Sequence, residues 1–212
     1  MFKQKRYLIG GGLKASTLQA LLDASYSGVG NAEGFVLDKK ISSKTAKVYV
    51  HPSGQVVVAH TGTYNSKDWF NNGVFGIGEE TAYRQAARLK SSKKVQKTAE
   101  NKYGAKNVLT IGHSQGSLLA QMLGKNSKEI IVLNKATRPQ EMLYGSSKKN
   151  KQFDVRSQGD VVSLWRNPFQ KSKQKDITIK NKTGSLLQEH SVDILGRLDK
   201  DKVIGKKNTY VN

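Results

Sequence analysis

The chain has 212 residues, 36 Lys and Arg against 16 Asp and Glu, a formal net charge of +20, and no cysteine. That length suits one domain with a sizeable core, and the missing thiols exclude disulfides, thiol catalysis and thiolate metal sites. No stretch approaches the roughly 20 apolar residues that span a bilayer, and the apolar stretch near Met1 is too short for a signal-peptide core, so a cytoplasmic or virion-associated protein is expected.

Taken in order, residues 1–14 read as a loosely attached segment, punctuated by Gly10-Gly11-Gly12. No Gly-Lys-Ser/Thr follows those glycines, so they are not a phosphate loop. A helix is predicted near 15–26, then short strands over 34–40 and 47–51, and a turn at Pro52-Ser53-Gly54. The run Val56-Val57-Val58-Ala59 suits a central strand buried on both faces. Residues 79–103 lack Gly and Pro and read as a long amphipathic helix with a basic outer face. Its apolar side is predicted to carry Ala82, Ala86, Leu89 and Val95, and Gly104 to stop it. A strand over 107–111, a helix over 115–123, strands over 129–134, 153–157 and 176–180, and a last short helix over 190–198 complete the chain. Strands alternating with helices predict an α/β fold, a mostly parallel central sheet flanked by helices in a single domain.

The chemistry is concentrated in Gly112-His113-Ser114-Gln115-Gly116, a Gly-X-Ser-X-Gly sequence between a predicted strand and a predicted helix. At such a turn the serine takes a strained conformation that lifts its hydroxyl out of the sheet. Side chains two before and two after would meet backbone, hence Gly112 and Gly116. The helix that follows brings free N–H groups to a developing oxyanion. A serine nucleophile needs a base, and the base an orienting acid, in the order Ser, Asp, His in this arrangement. His190 is the one histidine after Ser114. Asp160 follows Gly159 at the end of a predicted strand and is favoured over Asp154, within a strand, and Asp176, at the start of one. The expected catalytic set is Ser114, Asp160 and His190, acting on an ester through an acyl-enzyme. His113 is read as structural, and His60, on the buried strand, as a satisfied core histidine.

Val56-Val-Val-Ala-His60-Thr61-Gly62-Thr63, with Asp68-Trp69 after it, resembles the signature that precedes the nucleophile in class 3 (fungal-type) lipases of the α/β-hydrolase superfamily. The Gly-His-Ser-X-Gly elbow, Gly159-Asp160-Val-Val and His190-Ser191 fall in that family's order, and Leu133-Asn134-Lys-Ala-Thr-Arg138-Pro139 is similar to its stretch between elbow and aspartate. The likeness runs from about Ala24 to Leu198. Compact, lysine-rich versions of the pattern also resemble proteins encoded by large DNA viruses and their satellite viruses. The resemblance implies Thr63 and the backbone N–H of Gln115 as oxyanion-hole donors, and Trp69 as a packing residue under the site or a wall of the acyl pocket. Gly73-Val-Phe-Gly-Ile-Gly78 lies where larger lipases carry a lid helix, and is read equally as a small flap or an ordinary loop. Two positions depart from the family: Thr61 replaces the usual arginine before Gly-Thr, and Gln115 the usual leucine.

The implied substrate is a lipid or small ester, phospholipids included. The positive charge recurs at 3–6, 90–106, 148–151 and 171–182, so the folded surface itself is basic. It suits peripheral contact with an anionic membrane and contact with nucleic acid equally. A non-catalytic basic protein on a hydrolase fold, structural or nucleic-acid-associated, is the competing reading, and a peptidase or thioesterase would use the same three residues. No cofactor and no metal site is expected, because the histidines lack the paired spacing of metal-binding helices.

Overall fold

The structure, a computed structural model, describes residues 8–9, 12–62, 79–136, 152–160, 175–205 and 209–210. Strands are β1 (Leu8–Ile9), β2 (Leu13–Lys14), β3 (Asn31–Ala32), β4 (Phe35–Leu37), β5 (Ala46–Val50), β6 (Val56–His60), β7 (Val108–His113), β8 (Glu129–Leu133), β9 (Gln152–Ser157), β10 (Lys175–Ile179), β11 (Val203–Ile204) and β12 (Thr209–Tyr210). Helices are α1 (Ala15–Ser27), α2 (Glu79–Tyr103), α3 (Gln115–Leu123) and α4 (Leu186–His190).

Among the described residues the main sheet has eight strands, in the order β10-β9-β8-β7-β6-β5-β4-β3. From β6 to β10 every neighbouring pair is parallel, whereas β3, β4, β5 and β6 form an antiparallel meander. Every residue of β6, β7 and β8 is buried. These continuous apolar runs are what a strand covered on both faces requires. Side chains alternate across the sheet. Val57 and Ala59 join Leu18, Leu21 and Leu22 of α1, while Val56 and Val58 join Val95 and Ala99 of α2. The core is therefore two layers, one on each face.

The predicted elements occur, with three differences. Val95 of the apolar side read from the sequence is buried on α2 and Leu89 half-buried, but Ala86 is exposed, and the residues that point inward are Ser92, Val95, Gln96 and Ala99. Two of those four are polar. Gln96 donates to Thr110 Oγ1 at 3.0 Å and Ser127 Oγ at 2.8 Å, so hydrogen bonds, invisible to apolar periodicity, fix that face. The last helix is split. α4 ends at His190, and a 3-10 turn spans Val192–Arg197, because Ser191 is extended and its hydroxyl accepts from Asp193 N–H as a new cap. Lastly, Leu13 of the N-terminal segment is buried and pairs with Ile204, while Leu8 and Ile9 pair with Tyr210 and Thr209. Such two-residue strands leave no periodic signal. No helix among the described residues is long and apolar enough to cross a membrane.

Candidate active site

Ser114 is the one residue between β7 and α3, with φ 55° and ψ −126°. A serine at positive φ carries backbone strain that the surrounding packing must hold. The two flanking glycines show how tightly it is held. A Cβ on Gly112 would lie 2.4 Å from the Gly116 carbonyl oxygen, and one on Gly116 would lie 2.1 Å from the His60 carbonyl oxygen. Both obstacles are backbone, so neither can step aside, and the close approach of strand, turn and helix demands glycine at both positions. Gln115 opens α3, which puts its N–H in the first turn of that helix, beside Ser114.

The structure brings the other two expected residues to this hydroxyl. Ser114 Oγ lies 2.8 Å from His190 Nε2, and His190 Nδ1 lies 2.8 Å from Asp160 Oδ1. The arrangement in which Ser114 donates to Nε2 and Nδ1–H donates to the carboxylate satisfies both bonds. All three side chains are buried. Asp160 follows the end of β9, where its N–H donates to the Ser157 carbonyl. The rivals are elsewhere: Asp154 sits inside β9, accepting from Gln152 Nε2 at 2.7 Å, and Asp176 is its neighbour on β10.

The residue before His190 supplies a second set of contacts that sequence reasoning missed. The fully buried Glu189 accepts from Arg197 Nη1 at 2.8 Å, Thr183 Oγ1 at 2.8 Å, the N–H groups of Lys182 and Thr183, and the Ser157 hydroxyl. Arg197 first, then these hydrogen bonds, hold the carboxyl well below the usual carboxylate range against the cost of burial. Glu189 thus fastens the His190 turn to the strand that delivers Asp160. Asn134, also buried, donates to the Glu189 carbonyl at 2.9 Å and accepts from Ser157 N–H at 3.0 Å. Its φ of 45° is one that Asn tolerates better than most residues. A mid-loop Glu beside a His reads as a surface charge in sequence, so Glu189 gave no signal. Asn134 did lie in the stretch that carried the family likeness.

His113 is structural, and in a specific way. Tyr26 OH lies 2.9 Å from His113 Nδ1, and His113 Nε2 lies 2.6 Å from the His190 carbonyl oxygen. Gly62 N–H donates to the same tyrosine oxygen at 2.8 Å. The bonds fit one tautomer: Tyr26 donates to Nδ1 and Nε2–H donates to His190. Burial, and then the neighbouring His190, lower the His113 pKa to about 3, so the ring stays neutral. A chain of bonds therefore runs from the end of β6, through α1 and the elbow, to the His190 turn. The same strand end is held from the other side by Arg88 of α2, whose guanidinium donates to the Thr61 and Gly62 carbonyls. An arginine thus holds this strand end from a helix, where the family carries one at position 61 itself.

His60 is a core histidine with one ring nitrogen satisfied. Its Nε2 lies 3.0 Å from Gln96 Oε1, and burial lowers its pKa to about 4, while Nδ1 has no hydrogen-bond partner among the described residues. Thr63, Trp69, the 73–78 loop, Arg138 and Pro139 lie outside the described residues. Among those described, no group of three or more His, Cys, Asp or Glu could hold a metal ion.

No protein-family model matches the chain, and comparison with curated proteins gives no match. Solved structures do match. The Rhizomucor miehei lipase, in a propeptide complex, is similar at TM-score 0.52 and 12% identity over 70% of this chain and 61% of that one. The lipase from Rhizopus microsporus var. chinensis gives 0.50 and 14% over 70% and 67%. A triacylglycerol lipase from Penicillium expansum gives 0.49 and 16% over 79% and 76%. The chain spans about three fifths of the length of the Rhizomucor enzyme. At such identities the likeness is one of architecture alone: the chain shares the α/β fold of these lipases.

Proposed function

We propose that the protein is a serine carboxylic-ester hydrolase acting on esters of lipids. The observation that carries this reading is the unbroken bond series from the Ser114 hydroxyl through His190 to Asp160, with 2.8 Å at both steps. Ser114 Oγ attacks the ester carbonyl as His190 Nε2 takes its proton. Asp160 keeps the remaining proton on Nδ1 and stabilises the imidazolium. The tetrahedral oxyanion is met by the N–H of Gln115 at the start of α3 and by Thr63, which follows the tethered Gly62. One such donor is worth about a hundred- to a thousandfold in rate. His190 then hands its proton to the leaving alcohol, and water, activated by the same imidazole, releases the acid from Ser114.

Fluorophosphonate labelling and turnover of p-nitrophenyl esters of graded chain length test the reading. One adduct per chain, at Ser114, and hydrolysis that rises with acyl length are expected. Neither labelling nor turnover at any length would leave the non-catalytic reading in possession. Esters, thioesters and peptides run side by side separate the three uses of the same residues.

The bonds through Tyr26 carry a narrower expectation. Tyr26→Phe removes the oxygen that joins Gly62 N–H to His113 and leaves the ring in place. A loosened strand end misplaces the proposed donor that follows Gly62, and misplacement on the ångström scale costs up to about a hundredfold. The expected result is a kcat lower by about 10- to 100-fold with KM within twofold. Unchanged kcat would make the tyrosine a packing residue only.

A further inference from the structure

The outer face of α2 has a pattern that the proposed hydrolysis does not use. Lys90, Lys93, Lys94 and Lys97 recur at i, i+3, i+4 and i+7, and all four are exposed. That spacing sets them in one stripe along the helix, opposite the buried Ser92, Val95, Gln96 and Ala99. Among the described residues none of the four is in an ion pair. The acid nearest in sequence, Glu100, is turned inward to Gln96 and Ser127. Like charges at i,i+3 and i,i+4 work against a helix, so the stripe is a cost to folding that no ion pair among the described residues offsets. Lys39, Lys40, Lys106 and Lys125 are exposed as well, and Asp38 is already held by Lys102.

We infer that this stripe is a docking surface for a nucleic-acid backbone, distinct from the Ser114 site. Two observations favour a phosphate backbone over a membrane. The stripe is a narrow row of four cations covering about 10 Å of helix, a shape that fits the phosphates along one side of a rod-shaped polyanion. The directions also differ. α2 lies across the face of β5, β6 and β7, so its outer side looks away from the sheet, whereas Ser114 follows the C-terminal end of β7. A flat bilayer laid on the lysines would run parallel to the sheet and leave the strand ends facing sideways, unable to take lipid from that bilayer. A duplex on the same face leaves the strand ends open.

The test is the salt dependence of binding a fluorescein-labelled 20-bp DNA duplex and an RNA duplex of equal length, by anisotropy. Each neutralised phosphate contributes about 0.9 to the slope of log Kobs against log salt. The variant with Lys90, Lys93, Lys94 and Lys97 all changed to Gln should lose about 3 to 4 from that slope. A control that changes Lys14, Lys180, Lys200 and Lys202 to Gln alters the net charge equally and should lose less than one. Glutamine is a good helix former and ends the repulsion, so Tm should stay level or rise, which guards against an unfolded variant. Equal losses in the two variants would mean a diffuse positive charge and overturn the proposal. So would tighter binding to phosphatidylglycerol vesicles than to either duplex at 0.15 M salt, with that binding abolished by the stripe substitutions. Ester turnover in both variants should match the wild type, which keeps this outcome separate from the fate of the hydrolase reading.

Discussion

Ser114→Ala is expected to abolish fluorophosphonate labelling and to lower ester turnover by about a millionfold in kcat. The size follows from the chemistry. Without the oxygen there is no acyl-enzyme, and what is left is water attacking a bound ester under the remaining donors. The substitution removes one oxygen from a position whose strain belongs to the backbone, so Tm should move little. His190→Ala should cost about as much, and the double variant no more than either alone, because the two act as one unit. A Ser114→Ala protein that keeps a tenth of the wild-type rate would place the reaction elsewhere in the molecule.

Glu189→Ala has the largest expected effect on stability. It strips a buried carboxylate from five donors and leaves the Arg197 guanidinium without its partner. Breaking a buried pair from one side costs about 3–5 kcal/mol. The loss has a pH signature whose sign is fixed. The folded protein holds this carboxyl below its ordinary value of 4.5, so its charged form favours folding. That stabilisation is fully present above pH 4.5 and drains away as pH falls below it. The Tm gap between wild type and variant should be flat from pH 6 to 8 and narrow as the pH drops under 4.5. Esterase activity should fall as well, because Glu189 and Asn134 together hold the turn that presents His190. A gap that persists undiminished at pH 3, or a Tm drop of under two degrees, would make the cluster a surface ion pair of small worth.

The legibility of the chain differed by kind of residue. Strands β6, β7 and β8 and helix α3 were readable because each is a run of one character, apolar or helix-forming, closed by glycine or a polar turn. The elbow was readable because Gly112 and Gly116 answer to a steric demand that leaves its mark as a missing side chain. His190 came from order along the chain, as the one histidine after Ser114, and Asp160 from its place after Gly159 at the end of a strand. What stayed hidden was polar and long-range. Gln96 looks like a solvent-facing residue until Thr110 and Ser127 arrive from other elements, and Glu189 until Arg197 does. Tyr26 sits at the end of a helix 87 residues from His113, and no local pattern announces their bond. The two-residue strands at either end were lost for want of length.

The positive φ of Ser114 has a consequence for how the protein spends its folding energy. The Ser114 hydroxyl is aimed during folding, by the crowding of three backbones, and under the proposed function an arriving ester need not rearrange it. Preorganisation of this sort is drawn from the whole sheet. A weakening anywhere along β6 or β7 should therefore blur the aim of the hydroxyl well before the molecule melts, and heat inactivation should run ahead of unfolding.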